Sequence, residues 1–233
     1  MADQHEPAES PYQRDIAALR RRLARQSTLA VGMLEAALDA LWSVDPEVAE
    51  LVRQQDDAID AEEVAMEQEI HRIMTLLHPV AREFRIISMM LSVNHDIERV
   101  ADHACSIAKS AIRLSGLPVV PRFPTSLREL GERVPATCHR LMRALLDEDS
   151  DESLAIVKDD KVLDRLDRAV FDELTAMIAG QTEHEAAAGL LLYRAGRDLE
   201  RVGDLMKAIA ESVVYIDRGT IVRHSGIAKR RSG

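Results

Sequence analysis

Apolar residues recur at helical spacing along almost the whole chain. Ile16, Leu19, Leu23, Ala30, Met33, Ala37 and Leu41 form one stripe. It follows Ser10-Pro11, which reads as an N-cap and a proline at the first helical position. Asp45-Pro46 repeats that signal and opens a second stripe through Val48, Val52, Ile59, Met66, Ile70, Ile73 and Leu77. His78-Pro79 ends it and opens a third helix, which runs to about Ser115 and stops at Gly116. Residues 116–124 hold three of the eight prolines, and no helix is expected to cross them. A fourth stripe follows, Leu127, Leu130, Val134, Leu141 and Leu145, with Pro135 expected to kink it. Asp149-Ser150 offers a cap for a fifth helix, which Gly180 breaks, and Thr182-x-x-Glu185 has the form of a capping box for a sixth.

The charged positions are doubled. Asp96, Glu98, Arg99 and Asp102 return in the same spacing as Asp198, Glu200, Arg201 and Asp204. Upstream, Asp56, Asp60 and Glu63 return as Asp160, Asp164 and Asp167. The chain therefore reads as two copies of one helical unit. The expected fold is all-α, with two tandem three-helix up-down bundles built from six long helices. Helices above 30 residues span about 45 Å and favour lengthwise packing. The division is residues 1–9 as a disordered N-terminus, 10–115 as the first bundle and 116–124 as a linker. Residues 125–218 form the second bundle, and 219–233 a solvated tail ending in Lys229-Arg230-Arg231.

Composition supports long helices, because aromatics make up only 3% of a chain that is 46% hydrophobic. The net charge of −10 argues against nucleic acid as a partner and favours cations. Cys105 and Cys138 are too few for a disulfide framework and read as buried thiols in a reducing compartment. Neither a signal peptide nor a run of roughly 20 apolar residues is recognisable, so a cytoplasmic protein without direct membrane insertion is expected.

The acids lie where acids are costly. With 100° per residue, Asn94, Glu98 and Asp102 share a strip about 80° wide. Asp160, Asp164 and Asp167 share a line with Phe171, Leu174 and Ile178. Half-buried carboxylates need neutralising, either by arginine or by a metal ion. Asp96–Arg99 and Asp198–Arg201 are plausible intrahelical pairs, which leave Glu98/Asp102 unmatched. Oxygen donors alone select hard cations, so Mg, Mn or Fe is the alternative neutraliser. The candidate metal ligands are Asp56, Asp60, Glu98 and Asp102 in the first copy and Asp160, Asp164, Glu200 and Asp204 in the second. Glu63, Asn94 and Asp167 are possible additional ligands. Glu67 and Glu98 lack a histidine three residues on, so no ferritin-type diiron motif is present. His103 is the best ligand among the histidines, although a paired histidine is the simpler reading. The scattered glycines form no phosphate loop, so no nucleotide is expected.

These residues resemble the PhoU family of phosphate-signalling regulators. The resemblance rests on Asp56-x-x-Ile59-Asp60, on His78-Pro79-Val80-Ala81-Arg82-Glu83-Phe84-Arg85, and on Asp96-Ile97-Glu98-Arg99-Val100-Ala101-Asp102-His103-Ala104. Asp198-Leu199-Glu200-Arg201-Val202-Gly203-Asp204 and the ending Gly219 to His224 extend it over residues 12–224. It implies metal clusters on the acidic surface. It also implies a role between a phosphate ABC transporter ATPase and a membrane sensor histidine kinase, with Arg82 and Arg85 as partner-binding residues. A homodimer held at the membrane only through its partners is the expected assembly. The second copy departs where Leu205-Met206 replaces His103-Ala104, and a branch tied to sodium–phosphate cotransport stays open. A carboxylate-bridged metalloenzyme or metal store, and a helical adaptor without metal, are the competing readings.

Overall fold

The computed structural model describes residues 11–218, and every regular element among them is a helix. In chain order these are α1 (Pro11–Ser43), α2 (Pro46–Arg53), α3 (Asp56–Leu77), α4 (Arg82–Ser115), α5 (Thr125–Asp147), α6 (Ser150–Ile178) and α7 (Glu183–Arg218). Six long rods are present as expected, with the second broken once between α2 and α3 at Gln54–Gln55. The expectations for residues 1–9, the Ser10 cap, Gly219 to His224 and the basic tail fall outside the described residues.

Most helix ends obey the local signals. The Asp45 carboxylate caps α2 by accepting from the Glu47 and Val48 amides, and Asp149 caps α6 through Asp151 and Glu152. Thr182 and Glu185 close a reciprocal box, with the Thr182 amide donating to Glu185 at 3.0 Å and the Glu185 amide to Thr182 at 3.4 Å. Gly180 turns with φ of 75°, in the left-handed region that glycine enters at least cost. Gly116, in contrast, ends α4 in a right-handed conformation, so its freedom is not what stops the helix. Between α3 and α4, His78 and Ala81 both take positive φ, and α4 starts at Arg82 rather than directly after Pro79. Helix α5 runs through the buried Pro135 without interruption.

In the first half α4 packs on α1, α2 and α3; in the second α7 packs on α6 and α5. The halves are joined by α4 against α7 and α1 against α5. Both joints run antiparallel. Ser106 of α4 meets Arg194 and Asp198 of α7, whereas Met90 lines one cavity with Val213. At the other joint His139 meets Glu35 at 2.8 Å, while Gly131 lies against Trp42. Leu34, Leu41, Ile59, Met66, Ile97, Ile107, Leu130, Leu141, Leu192, Leu199 and Ile209 belong to one continuous buried core. The halves are therefore distinct in topology and share their apolar interior. Among the described residues no helix is long and apolar enough to cross a membrane.

Candidate functional site

The break at Gln54–Gln55 makes Asp56 the first residue of α3, where the exposed amides of a helix start favour negative charge. From there Asp60 and Glu63 follow along α3, facing Asn94, Glu98 and Asp102 of α4. The acids feel one another. Asp60 is held above the usual carboxylate range, by desolvation first and then by the charges of Asp56 and Asp102. Glu98 is raised likewise, by burial first and Asp102 second. The His95 ring bridges the helix pair, 3.4 Å from Glu63 and 3.9 Å from Glu98. Asn94 is 1% exposed; its amide donates to the Glu63 carbonyl at 2.9 Å, and its Oδ1 accepts nothing. Asp56 Oδ1 is also buried without a hydrogen bond. The Cys105 thiol lies beside Asp56 and donates to the Val52 carbonyl at 4.0 Å. Burial, reinforced by Asp56, pushes that thiol up to about 12.

The second copy brings together Asp160, Asp164 and Asp167 of α6 with Glu200 and Asp204 of α7. Here burial first, then Asp160, raises Asp204. Burial also raises Glu200, partly offset by Arg197. Two cations of the chain lie inside this set. Lys207 donates to the buried Asp160, and Arg197 stands 2.9 Å from Asp167 and 3.3 Å from Glu200.

Both copies therefore gather their acids, but with different neutralisers. Among the described residues none of Asp56, Asp60, Glu98 and Asp102 is ion-paired to lysine or arginine. The first set has the donor chemistry of a hard-cation site, all oxygens with unbalanced negative charge; buried oxygens without hydrogen bonds occur in both sets, at Asp56 and Asn94 in the first and at Asp167 and Glu200 in the second. Among the described residues no group of three or more His, Cys, Asp or Glu is arranged so that it could hold a metal ion. A cation would have to draw the acids inward.

Other expected pairs moved. Asp96 and Arg99 are 4.0 Å apart, at the limit of an ion pair. Asp198 does not pair with Arg201. It is 7% exposed and crosses to α4, accepting from Ser106 Oγ at 2.6 Å and meeting His103 Nδ1 at 3.0 Å. That contact also explains His103, which serves the seam rather than the acids of α3. Arg82 pairs with Glu148 at 2.6 Å, and Arg20 binds the same carboxylate, so Arg82 links the two halves. Arg85 is half-buried and its Nε has no hydrogen bond. Sequence reasoning missed Lys207 and Arg197, and gave Asp198 an intrahelical partner in place of Ser106 and His103. The first two stand at the positions of Cys105 and His95 in the other copy, and aligning the copies residue by residue would have marked them.

Comparison with known proteins places this geometry. The family model described as "PhoU domain" matches twice, at residues 23–111 and 127–213. A phosphate-specific transport system accessory protein PhoU homolog of Xylella fastidiosa (strain Temecula1) is 32% identical over 208 residues, covering 89% of this chain and 85% of its own. The Pseudomonas aeruginosa homolog is 30% identical over 213 residues, covering 91% and 88%. The crystal structure of PhoU from Pseudomonas aeruginosa superposes with a TM-score of 0.85 at 30% identity, covering 90% of this chain and 100% of that one. The Streptococcus pneumoniae phosphate transport system regulatory protein PhoU shares the fold, with a TM-score of 0.83 at 24% identity, covering 91% and 99%. With both repeats matched over nearly their whole length, the chain belongs to the PhoU family.

Proposed function

We propose that this protein is a non-enzymatic accessory regulator of phosphate uptake and phosphate signalling. The observation that carries this reading is the full-length, two-repeat likeness to proteins named as accessory proteins of a phosphate-specific transport system. On this reading it acts at the cytoplasmic face of the membrane through its partners, bridging a phosphate ABC transporter ATPase and a sensor histidine kinase. The acidic face of α3 and α4 supports the finer part: Asp56, Asp60, Glu98 and Asp102 hold a Mg, Mn or Fe ion there, with Glu63 and Asn94 as further oxygen donors. An ion shared by two helices fixes their spacing, and so presents a defined surface to a partner. Arg82 remains exposed beside its Glu148 pair and can exchange that carboxylate for one on a partner.

The test is a pull-down of the full chain against the transporter ATPase and against the kinase, in high and low phosphate. The expected result is retention of both, stronger in high phosphate. Retention of neither under either condition would sink the bridging role. A homodimer is the expected assembly, to be read by light scattering.

A further inference from the structure

The two acidic clusters align position by position, yet several positions around them differ, three of them beside the acids. At the offset that carries Glu98 to Glu200, Asn94, His95 and Cys105 become Gly196, Arg197 and Lys207. Each of these three changes works against a bound metal in the second copy. Gly196 supplies no side-chain oxygen, and its backbone lies close to Val170. Arg197 makes the same inter-helix bridge as His95, but a guanidinium is always charged whereas an imidazole is charged only when protonated. Lys207 puts an ammonium on Asp160, where Cys105 beside Asp56 offers a neutral thiol.

We propose that the second cluster is filled by its own side chains: the Lys207 ammonium on buried Asp160, with Arg197 across Asp167 and Glu200, stands where a metal ion would bind, so divalent metal is taken up by the first copy alone. This rests on the reading that the first cluster binds a cation, and goes beyond it by assigning the second a different state. A divalent ion entering there must strip the ammonium from a carboxylate that is 6% exposed and then tolerate that like charge beside it. The surroundings continue the pattern of internal pairing. A cavity of about 180 Å³ in front of Asp160 is lined by Lys207, Arg133 and Arg140 together with Asp159. Arg140 is held by Glu152 at 2.7 Å and Asp159 at 2.9 Å, and Arg133 by Glu129 at 2.8 Å. Each cation on the approach to Asp160 is thus already matched by a carboxylate of the chain.

The experiment is equilibrium dialysis of the full chain against Mn²⁺, with metal content measured by mass spectrometry. Glu98→Gln plus Asp102→Asn should lower bound Mn²⁺ at least about tenfold, because the first cluster supplies the only sites. Glu200→Gln plus Asp204→Asn should leave it unchanged. Arg197→His plus Lys207→Met, which removes the fixed charges, should roughly double it. Lys207→Arg should not change it. Should the charge-removing variant fail to fold, the Glu200/Asp204 variant decides alone. If the two carboxylate pairs each remove about half of the metal, both clusters bind and the proposal is overturned, while the cation-binding reading stands. If the wild type and the charge-removing variant both bind no Mn²⁺, the cation-binding reading falls and takes the proposal with it.

Discussion

Asp198 and Arg99 come from the same four-residue signature and differ in consequence because their surroundings differ. Asp198→Ala would leave Ser106 and His103, both on α4, at the seam with α7 without their acceptor. The expected loss is about 1–3 kcal/mol in urea unfolding, and a loss near zero would mean that water replaces the carboxylate. Arg99→Ala, at an exposed pair, should cost no more than about 0.5 kcal/mol in the same measurement. Glu98 and Asp60 make a third case. Their folded-state pKa values are raised, so they release protons more readily when unfolded, and stability falls as pH rises through their titration. Without metal, Glu98→Gln plus Asp102→Asn should therefore melt higher than the wild type near pH 7, with the advantage shrinking as pH falls toward about 4. A variant that melts lower at neutral pH would show that protein donors already satisfied those acids.

Caps and glycines control the elements. Asp45→Ala removes the acceptor for two amides at the start of α2 and should cost about 1 kcal/mol by thermal melting. Gly131 is fixed for a different reason. A Cβ there would stand 2.7 Å from Trp42 Cζ2. Trp42 cannot easily retreat, since Phe123 packs edge-on at 5.3 Å and Arg128 lies 5.0 Å over its ring. Gly131→Ala should lose about 1–3 kcal/mol, and an unchanged melt would mean that the ring shifts freely. Much at this scale is legible in sequence, because a cap, a proline or an apolar stripe acts over a few residues. Asp45, Asp149 and the Thr182–Glu185 box took their expected roles for that reason. The break at Gln54–Gln55 carries no glycine or proline, so nothing local announces it. The candidate acids were gathered as the periodicity implied. What neutralises them was not legible, because Lys207 reaches Asp160 across 47 positions of the chain and only packing decides such a meeting.

In the whole molecule, the halves share one core, and α4 and α1 of the first half are covered by α7 and α5 of the second. Residues 11–121 produced alone should therefore self-associate through the uncovered apolar faces, as sedimentation would show; a stable monomer would mean that the halves fold independently. Each joining contact sets a helix against its own counterpart, in opposite directions. A lone ancestral unit with the same faces could close on a second copy of itself about a two-fold axis, forming an isologous dimer. In such a dimer every substitution happens twice, so an aspartate placed at the seam must be accommodated on both sides at once. Joining the units in a single chain lifts that constraint. His103 could then remain opposite Asp198 while its counterpart became Leu205, and one acidic cluster could acquire a lysine that the other never received. Duplication followed by fusion thus lets a symmetric scaffold diverge, with one acidic cluster matched by its own lysine and arginine and the other left without them.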